Sequence, residues 1–177
     1  MTVVRRDVSL RAYEDRDLGL LRALLGDPEM TRFLGGPESG DALLSRHARY
    51  LSADPATNAI FTIVVDGLAA GWVGLWESEW EGEMTWECGW SVLPDFQRAG
   101  VARAAARLVL DDAAARGRHR VVDAFPSVDN VASNALCSRL GFTALGEVDV
   151  EYPKGRMMRA VHWRFDLEAP PTEVACT

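Results

Sequence analysis

Residues 96–110, with the sequence FQRAGVARAAARLVL, constrain the fold of this chain more than any other segment. The segment begins as a loop of small and polar residues around Gly100 and continues as a helix. The predicted apolar face of that helix includes Val101, Ala105 and Leu108. The first four N–H groups of a helix have no intrahelical partner, and they lie at the positive end of the helix dipole. Such a turn is suited to binding an anion, in particular a phosphate.

Two interpretations of residues 97–102, QRAGVA, remain open when these residues are considered alone. One is an anion-binding loop, and the other is an ordinary strand-to-helix turn with a single glycine. The segment lacks the Lys-Ser/Thr end of a nucleotide-hydrolysing P-loop, and its spacing is not that of G-x-G-x-x-G. The sequence context of the loop is therefore needed to decide between them.

The chain has the size and composition of one globular domain. It has 177 residues, of which 48% are hydrophobic and 25% are charged. No apolar run approaches about 20 residues, and the first ten residues lack the apolar core of a secretory signal. We therefore expect a cytoplasmic protein with one domain over residues 1–168 and an unstructured tail over residues 169–177.

Charge and cysteine usage exclude several classes of partner. The formal net charge of −7 would repel a nucleic-acid backbone, so no nucleic-acid partner is expected, and no membrane partner either. The three cysteines include no C-x-x-C pair, and the three histidines are far apart in the sequence. We therefore predict reduced thiols and no bound metal ion.

The hydrophobic periodicity predicts an α/β (α+β) fold with a mixed, mostly antiparallel central sheet flanked by helices. Helices are predicted over residues 14–25 and 41–51, from the loop at Gly100 to Gly117, and from the Asn130 cap to Gly141. Alternating and apolar runs predict strands over residues 8–13, 60–65, 68–76, 84–92, 120–125, 142–150 and 157–167. An acidic loop, ESEWEGE, is expected between the third and fourth strands.

Two motifs together resemble the GNAT acetyltransferase superfamily, whose members bind acetyl-coenzyme A. The first is LPDFQRAGVARA, in which Gln97, Gly100 and Ala102 match the pyrophosphate loop Q/R-x-x-G-x-G/A. The second is NVASNALCSRLGF, which starts at Asn130 and matches the element N-x-x-(S/A) followed by L-G-F. Residues 10–36 are similar to the opening of the ribosomal-protein N-terminal (alanine) acetyltransferase branch. The resemblance extends over most of the chain and implies a single GNAT-like domain.

The resemblance implies a site for acetyl-coenzyme A. The amides of the loop would hold its pyrophosphate, and the end of the preceding strand would pair with its pantetheine arm. Asn130 would contact the same arm, although it is equally suited to capping its helix. Ala102 departs from the stricter glycine form of the loop. The residues implied in cofactor binding are Ser91, Val92, Leu93, Gln97, Arg98, Ala99, Gly100, Val101, Ala102, Asn130 and Ser133.

Glu87 is the candidate general base. Alternation places it on one face of its strand with Gly89, which leaves open space beside it. A strand glutamate is usually just solvent-exposed, but the resemblance places Glu87 where a glutamate precedes a Gly-aromatic pair in the ribosomal branch. Its ordinary pKa of about 4.3 would have to rise, or a water would have to relay the proton. A backbone N–H near residues 91–93 is expected to stabilise the oxyanion.

The departing thiolate needs a hydrogen-bond donor or a proton. Many members of the superfamily carry a tyrosine in the last helix, and Cys137 occupies the matching position here. Cysteine at this position favours helix packing, so Ser133, one turn earlier, is the preferred donor and the second predicted catalytic residue. Cys137 and Tyr152 remain alternatives.

The acceptor-binding residues are the least constrained. Four glutamates, Trp76 and Trp80 fall in and beside the predicted acidic loop, and they suggest either a solvated hairpin or an acidic, aromatic mouth that attracts a cationic amine. Phe33 lies in the helical region expected to form the opposite wall.

The predicted function is transfer of an acetyl group to a primary amine by direct attack in a ternary complex. The acceptor would be a protein N-terminus or a small cationic amine, and a homodimer is possible. The alternative is a coenzyme-binding sensor of the same fold that has lost turnover.

Overall fold

A computed structural model describes residues 7–168 of the chain, so the predicted tail lies outside the described residues. None of the helices formed by these residues is long and apolar enough to cross a membrane. The described residues form four α-helices, α1 Leu18–Leu25, α2 Gly40–Leu51, α3 Val101–Arg116 and α4 Val131–Leu140. They also form seven strands, β1 Val8–Ala12, β2 Asn58–Val65, β3 Leu68–Trp80, β4 Glu83–Val92, β5 Val121–Ala124, β6 Thr143–Glu151 and β7 Met157–Asp166.

The seven strands form one sheet in the order β1-β2-β3-β4-β5-β7-β6. Neighbouring strands are antiparallel except β4 and β5, which are parallel and are joined by the crossover through α3. The predicted mixed, mostly antiparallel sheet is confirmed. Because β7 lies between β5 and β6, residues far apart in the sequence become neighbours beside β5.

Each face of the sheet packs against a different pair of helices. The larger core lies under α3 and α4 and includes Trp86 and Val92 of β4 together with Val109 of α3. The smaller core lies under α1 and α2, where Leu24 and Leu43 pack against the sheet. Since side chains alternate along a strand, the odd-numbered residues of β4 point toward the α1–α2 side.

The buried face of α3 differs slightly from the predicted one. Val101 and Ala105 are buried as predicted, but Leu108 is 39% exposed. The buried face also includes Ala106 and Leu110. Leu108 lies about 100° around the helix from its buried neighbour Val109, so it falls at the rim of the face.

Strand β3 is longer than predicted. It continues from Trp76 to Trp80 and pairs with β4 along this whole length, so the expected acidic loop is largely strand. The connection shrinks to Glu81 and Gly82, which both have positive φ angles, of 51° and 84°. Two such residues form a type I′ turn, whose twist matches that of a β-hairpin.

The sheet opens between β4 and β5. These strands pair only at Trp86 with Val122 and at Glu87 with Asp123. Strand β4 then continues to Val92, and among the described residues no strand pairs with this last part on the β5 side. The gap leads directly to the loop before α3.

Candidate active site

The loop before α3 presents a run of unpaired amides. The first main-chain hydrogen bond at the start of α3 runs from the N–H of Ala104 to the carbonyl of Gly100, at 3.0 Å. Within residues 7–168, the N–H groups of residues 98–103 donate no hydrogen bond of good geometry. Positive φ angles at Arg98 and Gly100, of 58° and 77°, turn the chain sharply here. The loop therefore has the donors that an anionic group requires.

Gln97 hydrogen-bonds to main-chain groups of the protein through both its side chain and its backbone. Its side-chain amide donates to the carbonyl of Val92 at 2.8 Å, and its backbone N–H donates to the carbonyl of Pro94 at 3.1 Å. The side chain thus ties the loop to the end of β4. This contact accounts for a glutamine at this position without any ligand.

The direction of the main-chain groups along β4 selects which residues face the gap. The N–H of Leu93 donates to the carbonyl of Ala70 in β3. Because partners alternate in an antiparallel pair, Ser91 also directs its main chain toward β3, whereas Val92, Trp90 and Cys88 direct theirs toward the gap. Of the three predicted strand residues, Val92 therefore faces the gap. Trp90 and Cys88 were not predicted, although the same alternation along the strand, counted back from Val92, would have indicated them.

Glu87 lies where the gap closes. It is half-buried, pairs with Trp76 of β3 and Asp123 of β5, and points toward the α1–α2 side of the sheet. Burial raises the pKa of its carboxyl group, and the negative charge of Asp123 adds to this. Hydrogen bonds from Ser78 and Trp76 lower it, but the net pKa is raised. A carboxylate with a raised pKa is a better proton acceptor near neutral pH.

A glycine-tryptophan floor lies beside Glu87. Gly74 and Gly89 are paired across β3 and β4, and the indoles of Trp72 and Trp76 lie against them. A Cβ atom built on Gly89 would be 3.0 Å from Cη2 of Trp76 and 3.6 Å from Cη2 of Trp72. The two glycines thus make room for two large aromatic side chains on the Glu87 face. Trp76 was predicted to bind substrate, whereas the i, i+4 spacing of Trp72 with Trp76 was not used.

The segment between α1 and α2 faces the turn between β6 and β7. The guanidinium of Arg156 donates to the carbonyl of Gly35 at 3.0 Å, so the two segments are in contact. Close by, Arg46 donates to the hydroxyl of Tyr50 at 3.2 Å, and Tyr50 lies 6.1 Å from Trp72 between ring centroids. Tyr152 is close enough to Arg46 and Tyr50 to raise the pKa of both, so it belongs to the same group of side chains.

The other two predicted acceptor-binding residues contact different neighbours. Phe33 is half-buried and stacks under the guanidinium of Arg32, 4.4 Å from its ring centroid. Trp80 lies at the hairpin end of β3, within 4.8 Å of Phe125 and 5.3 Å of His162 between ring centroids. Trp80 shares the Glu87 face but is separated from Glu87 by the pair of Ser78 with Thr85.

The predicted acidic mouth is divided between the two faces of the hairpin. Glu77 points to the α3 side, where its carboxylate accepts hydrogen bonds from Arg118 and His119. Glu83 lies on the Glu87 face and pairs with Arg164 at 2.9 Å. The sequence predicted a loop here, but β3 continues as a strand. Because side chains alternate between the two faces of a strand, the glutamates are divided between the faces. Glu77 therefore does not contribute to a mouth beside Glu87.

Helix α4 brings Asn130 and Ser133 together. The side-chain oxygen of Asn130 accepts a hydrogen bond from the N–H of Ser133 at 3.1 Å, so Asn130 caps the helix. Ser133 is half-buried. Cys137 is fully buried in the larger core, and burial raises the pKa of its thiol to about 12. The packing role suggested for Cys137 agrees with this environment.

In the described part of the chain, no group of three or more His, Cys, Asp or Glu side chains is positioned to hold a metal ion.

Comparison with known proteins identifies the family. A family model for the acetyltransferase (GNAT) domain matches residues 7–143. The chain belongs to the GNAT acetyltransferase family. This GNAT acetyltransferase therefore has the predicted fold, and the resemblance of its two motifs to the superfamily is confirmed at the level of the family.

Solved structures share the fold at low sequence identity. An acetyltransferase of the GNAT family from Bacillus anthracis matches with a TM-score of 0.75 and 16% identity, over 92% of this chain and 96% of that one. Spermidine N-acetyltransferase from Vibrio cholerae, in complex with CoA and spermine, matches with a TM-score of 0.74 and 20% identity, over 90% and 95%. An aminoglycoside acetyltransferase in complex with coenzyme A matches with a TM-score of 0.73 and 16% identity, over 90% and 95%. These neighbours do not single out the ribosomal-protein branch.

Proposed function

We propose that this GNAT protein transfers the acetyl group of acetyl-coenzyme A to a primary amine by direct attack within a ternary complex. The observation that carries the proposal is the placement of Glu87. Its half-buried carboxyl group lies where β4 and β5 separate, and the same gap leads to the unpaired amides of residues 98–103. This arrangement supports a binding loop, an edge for the carrier arm and a base along the same opening of the sheet.

The loop and the strand edge supply complementary contacts for the coenzyme. The amides of residues 98–103, next to the positive end of α3, would hold the pyrophosphate. The main-chain groups of Cys88, Trp90 and Val92 would pair with the amides of the pantetheine arm, as an added strand does. This edge is about 13 Å long at the usual rise per residue of a strand. The thioester end of the arm would then reach toward Glu87.

The chain's side chains and amides match the needs of acetyl transfer. Glu87, directly or through a water, would take the proton that the amine sheds as its nitrogen attacks the thioester carbon. The C–N bond forms, the C–S bond breaks, and the sulfur leaves as a thiolate or thiol. A main-chain N–H on the gap side of β4, such as that of Val92, would stabilise the oxyanion. Ser133 would donate to the sulfur, because Cys137 is enclosed in the core.

We propose a protein N-terminus or a small cationic amine as the acceptor. The indole faces of Trp72 and Trp76 offer cation–π contacts next to Glu87. Two structural neighbours are an aminoglycoside acetyltransferase and a spermidine acetyltransferase crystallised with spermine, which supports testing such amines first. The similarity of residues 10–36 to the ribosomal-protein branch supports including N-terminal peptides. A homodimer and a cytoplasmic location remain predictions from the sequence.

An amine panel tests the function. The protein is incubated with acetyl-coenzyme A and N-terminal peptides, polyamines or aminoglycosides, while free thiol release is followed. Glu87→Gln should lower kcat by about 100-fold or more and leave the coenzyme Kd nearly unchanged by calorimetry. Glu79→Gln, an exposed change on the other face of β3, is the matched control and should retain activity. Coenzyme binding without turnover on any amine would favour the sensor alternative, and no coenzyme binding would contradict the proposal.

A further inference from the structure

A buried ionic cluster lies next to Glu87. Asp123 of β5 is 0% exposed, and three side chains hydrogen-bond to its carboxylate. Arg164 donates through Nε to Oδ1 at 2.7 Å and through Nη2 to Oδ2 at 2.8 Å. His162 Nε2 lies 2.9 Å from Oδ1, and the hydroxyl of Thr85 donates to Oδ2 at 3.1 Å. We call these four residues the Asp123 cluster.

The cluster joins three strands where the sheet begins to open. Thr85 is on β4, Asp123 on β5, and His162 and Arg164 on β7. Arg164 also reaches Glu83 at the start of β4, at 2.9 Å. Asp123 forms the last pair between β4 and β5, and its partner in that pair is Glu87. Beyond this pair β4 faces the gap.

Asp123 and Glu87 are neighbours across the last pair of β4 and β5. Neighbouring strands lie about 4.8 Å apart, and paired residues point to the same face, so the two carboxyl groups are neighbours. Strand β3 presents the uncharged Trp76 and Ser78 to Glu87, and the Cys88 thiol on β4 is buried on the other face. Burial is the larger cause of the raised pKa of Glu87, and the charge of Asp123 adds to it. The positive charge of Arg164 is paired with Asp123 and Glu83.

Asp123 is ionised at neutral pH. Burial alone would raise the pKa of its carboxyl group, but hydrogen bonds from Arg164 and His162, together with their charges, outweigh burial and lower it. The two neighbouring carboxyl groups therefore differ in their affinity for a proton. Asp123 holds the negative charge, and Glu87, facing that charge, is the one with the greater affinity for a proton.

We propose that Asp123 is a positioning residue for acetyl transfer, because its buried charge keeps Glu87 a strong enough base to accept the proton of the attacking amine. Arg164, His162 and Thr85 hold Asp123 in this place. The proton moves from the amine nitrogen to Glu87, while Asp123 neither gains nor loses one. The inference rests on the proposed function and on Glu87 as its base.

Asp123→Asn tests the role of the charge. The acid limb of the pH profile of kcat/KM should move to lower pH, and the plateau of kcat should fall by about three- to ten-fold, because Glu87 becomes a weaker base. The coenzyme Kd should stay within about two-fold of wild type. Asp149→Asn is the matched control. It makes the same chemical change in an exposed carboxylate paired with another β7 arginine, Arg159, at 3.2 Å, and it should leave the pH profile unchanged.

Removing one partner of a buried ion pair can unfold a protein, so a second variant is needed. The double variant Asp123→Asn with Arg164→Gln replaces the charged pair with a neutral one. It removes the same negative charge and leaves no unpaired arginine. The acid limb should move in the same direction but by less than in Asp123→Asn, because the positive charge of Arg164, on the strand beyond Asp123, is removed as well. An unchanged profile in this variant would overturn the proposal.

A double-mutant cycle with Glu87 distinguishes an electrostatic effect of Asp123 on Glu87 from a general loss of structure. In a Glu87→Gln background, the loss caused by Asp123→Asn should shrink to less than about two-fold, because no base remains to be affected. An equal loss in both backgrounds would mean that Asp123 is structural, and would overturn the proposal. Full activity of Glu87→Gln alone would overturn this inference together with Glu87 as the base. A large loss in Glu87→Gln with an unchanged Asp123→Asn profile would overturn only this inference.

Discussion

The glycine-tryptophan floor makes Gly89→Ala a sharp test of the site. A methyl group at Gly89 would lie 3.0 Å from Cη2 of Trp76, whereas carbon atoms in contact are about 3.5–4.0 Å apart. The indole must therefore give way by a few tenths of an ångström. Gly89 has no positive φ, so the backbone itself accepts alanine and the clash is the cause of any effect. Overpacking of this size costs about 1–3 kcal/mol.

Thermal unfolding and steady-state kinetics measure the two consequences. A domain of this size loses about 2–4 °C in Tm for each kcal/mol, so Gly89→Ala should unfold measurably earlier than wild type. Because Trp76 also hydrogen-bonds to Glu87, its displacement should lower kcat/KM for the acceptor. Gly19→Ala is the control: a Cβ there meets nothing within 4 Å, and alanine favours helix α1. It should be neutral or stabilising by up to about 1 kcal/mol.

The outcome that would refute this reasoning is specific. If Gly89→Ala keeps both the wild-type Tm and the wild-type kcat/KM, then Trp76 does not rest on Gly89. The floor beside Glu87 would then have a different shape. A lower Tm with unchanged kinetics would support the packing of Trp76 on Gly89, but it would mean that Trp76 does not contribute to the acceptor site.

Four other variants test the base, the loop and the sulfur donor. Burial raises the pKa of Glu87, so its contribution to stability is full below the unfolded pKa of about 4.3 and is lost as pH rises through the folded value. Glu87→Gln should therefore have a higher Tm than wild type at pH 8 and not at pH 4, and equal differences at both would contradict this. Gly100→Ala, at a φ of 77°, should cost about 1–2 kcal/mol in unfolding experiments. Beyond its chain neighbours the methyl group meets no described protein atom within 4 Å, so weaker coenzyme binding by calorimetry would reflect the strained loop backbone or contact with the ligand, and unchanged binding would contradict a role for the loop. Ser133→Ala should lower kcat, whereas Cys137→Ala should lower Tm more than kcat, and the reverse pattern would favour Cys137 as the donor.

Local sequence patterns predicted most of the fold and the coenzyme loop. The loop at Gly100 and the helix after it depend on a few consecutive residues, so they could be read directly from the chain. The bounds of β3 could not, because the turn at Glu81 and Gly82 lacks the Asn-Gly or Asp-Gly signal of a short hairpin. This one difference moved Glu77 to the far face and turned the acidic loop into strand.

The Asp123 cluster was beyond local patterns for another reason. Asp123 appeared as one residue of a short apolar strand, and its partners lie about 40 positions away in the sequence on β4 and β7. Only the strand order, with β7 inserted beside β5, brings these side chains together. Glu87 and Asp123 are therefore far apart in the sequence, but the strand order makes them neighbours between β4 and β5.

The opening of the sheet links coenzyme binding to proton transfer. A strand edge becomes available for a carrier arm only where β4 loses β5 as a partner, after Glu87. At the last pair before this point, two carboxyl groups face each other across the strands, and one of them is fully paired with Arg164. The pKa of the other, Glu87, is raised first by burial and then by the charge of Asp123. In the proposed mechanism, the position of the opening would set both where the thioester arrives and which carboxylate accepts the proton, so moving either acidic residue by one strand position would separate the two.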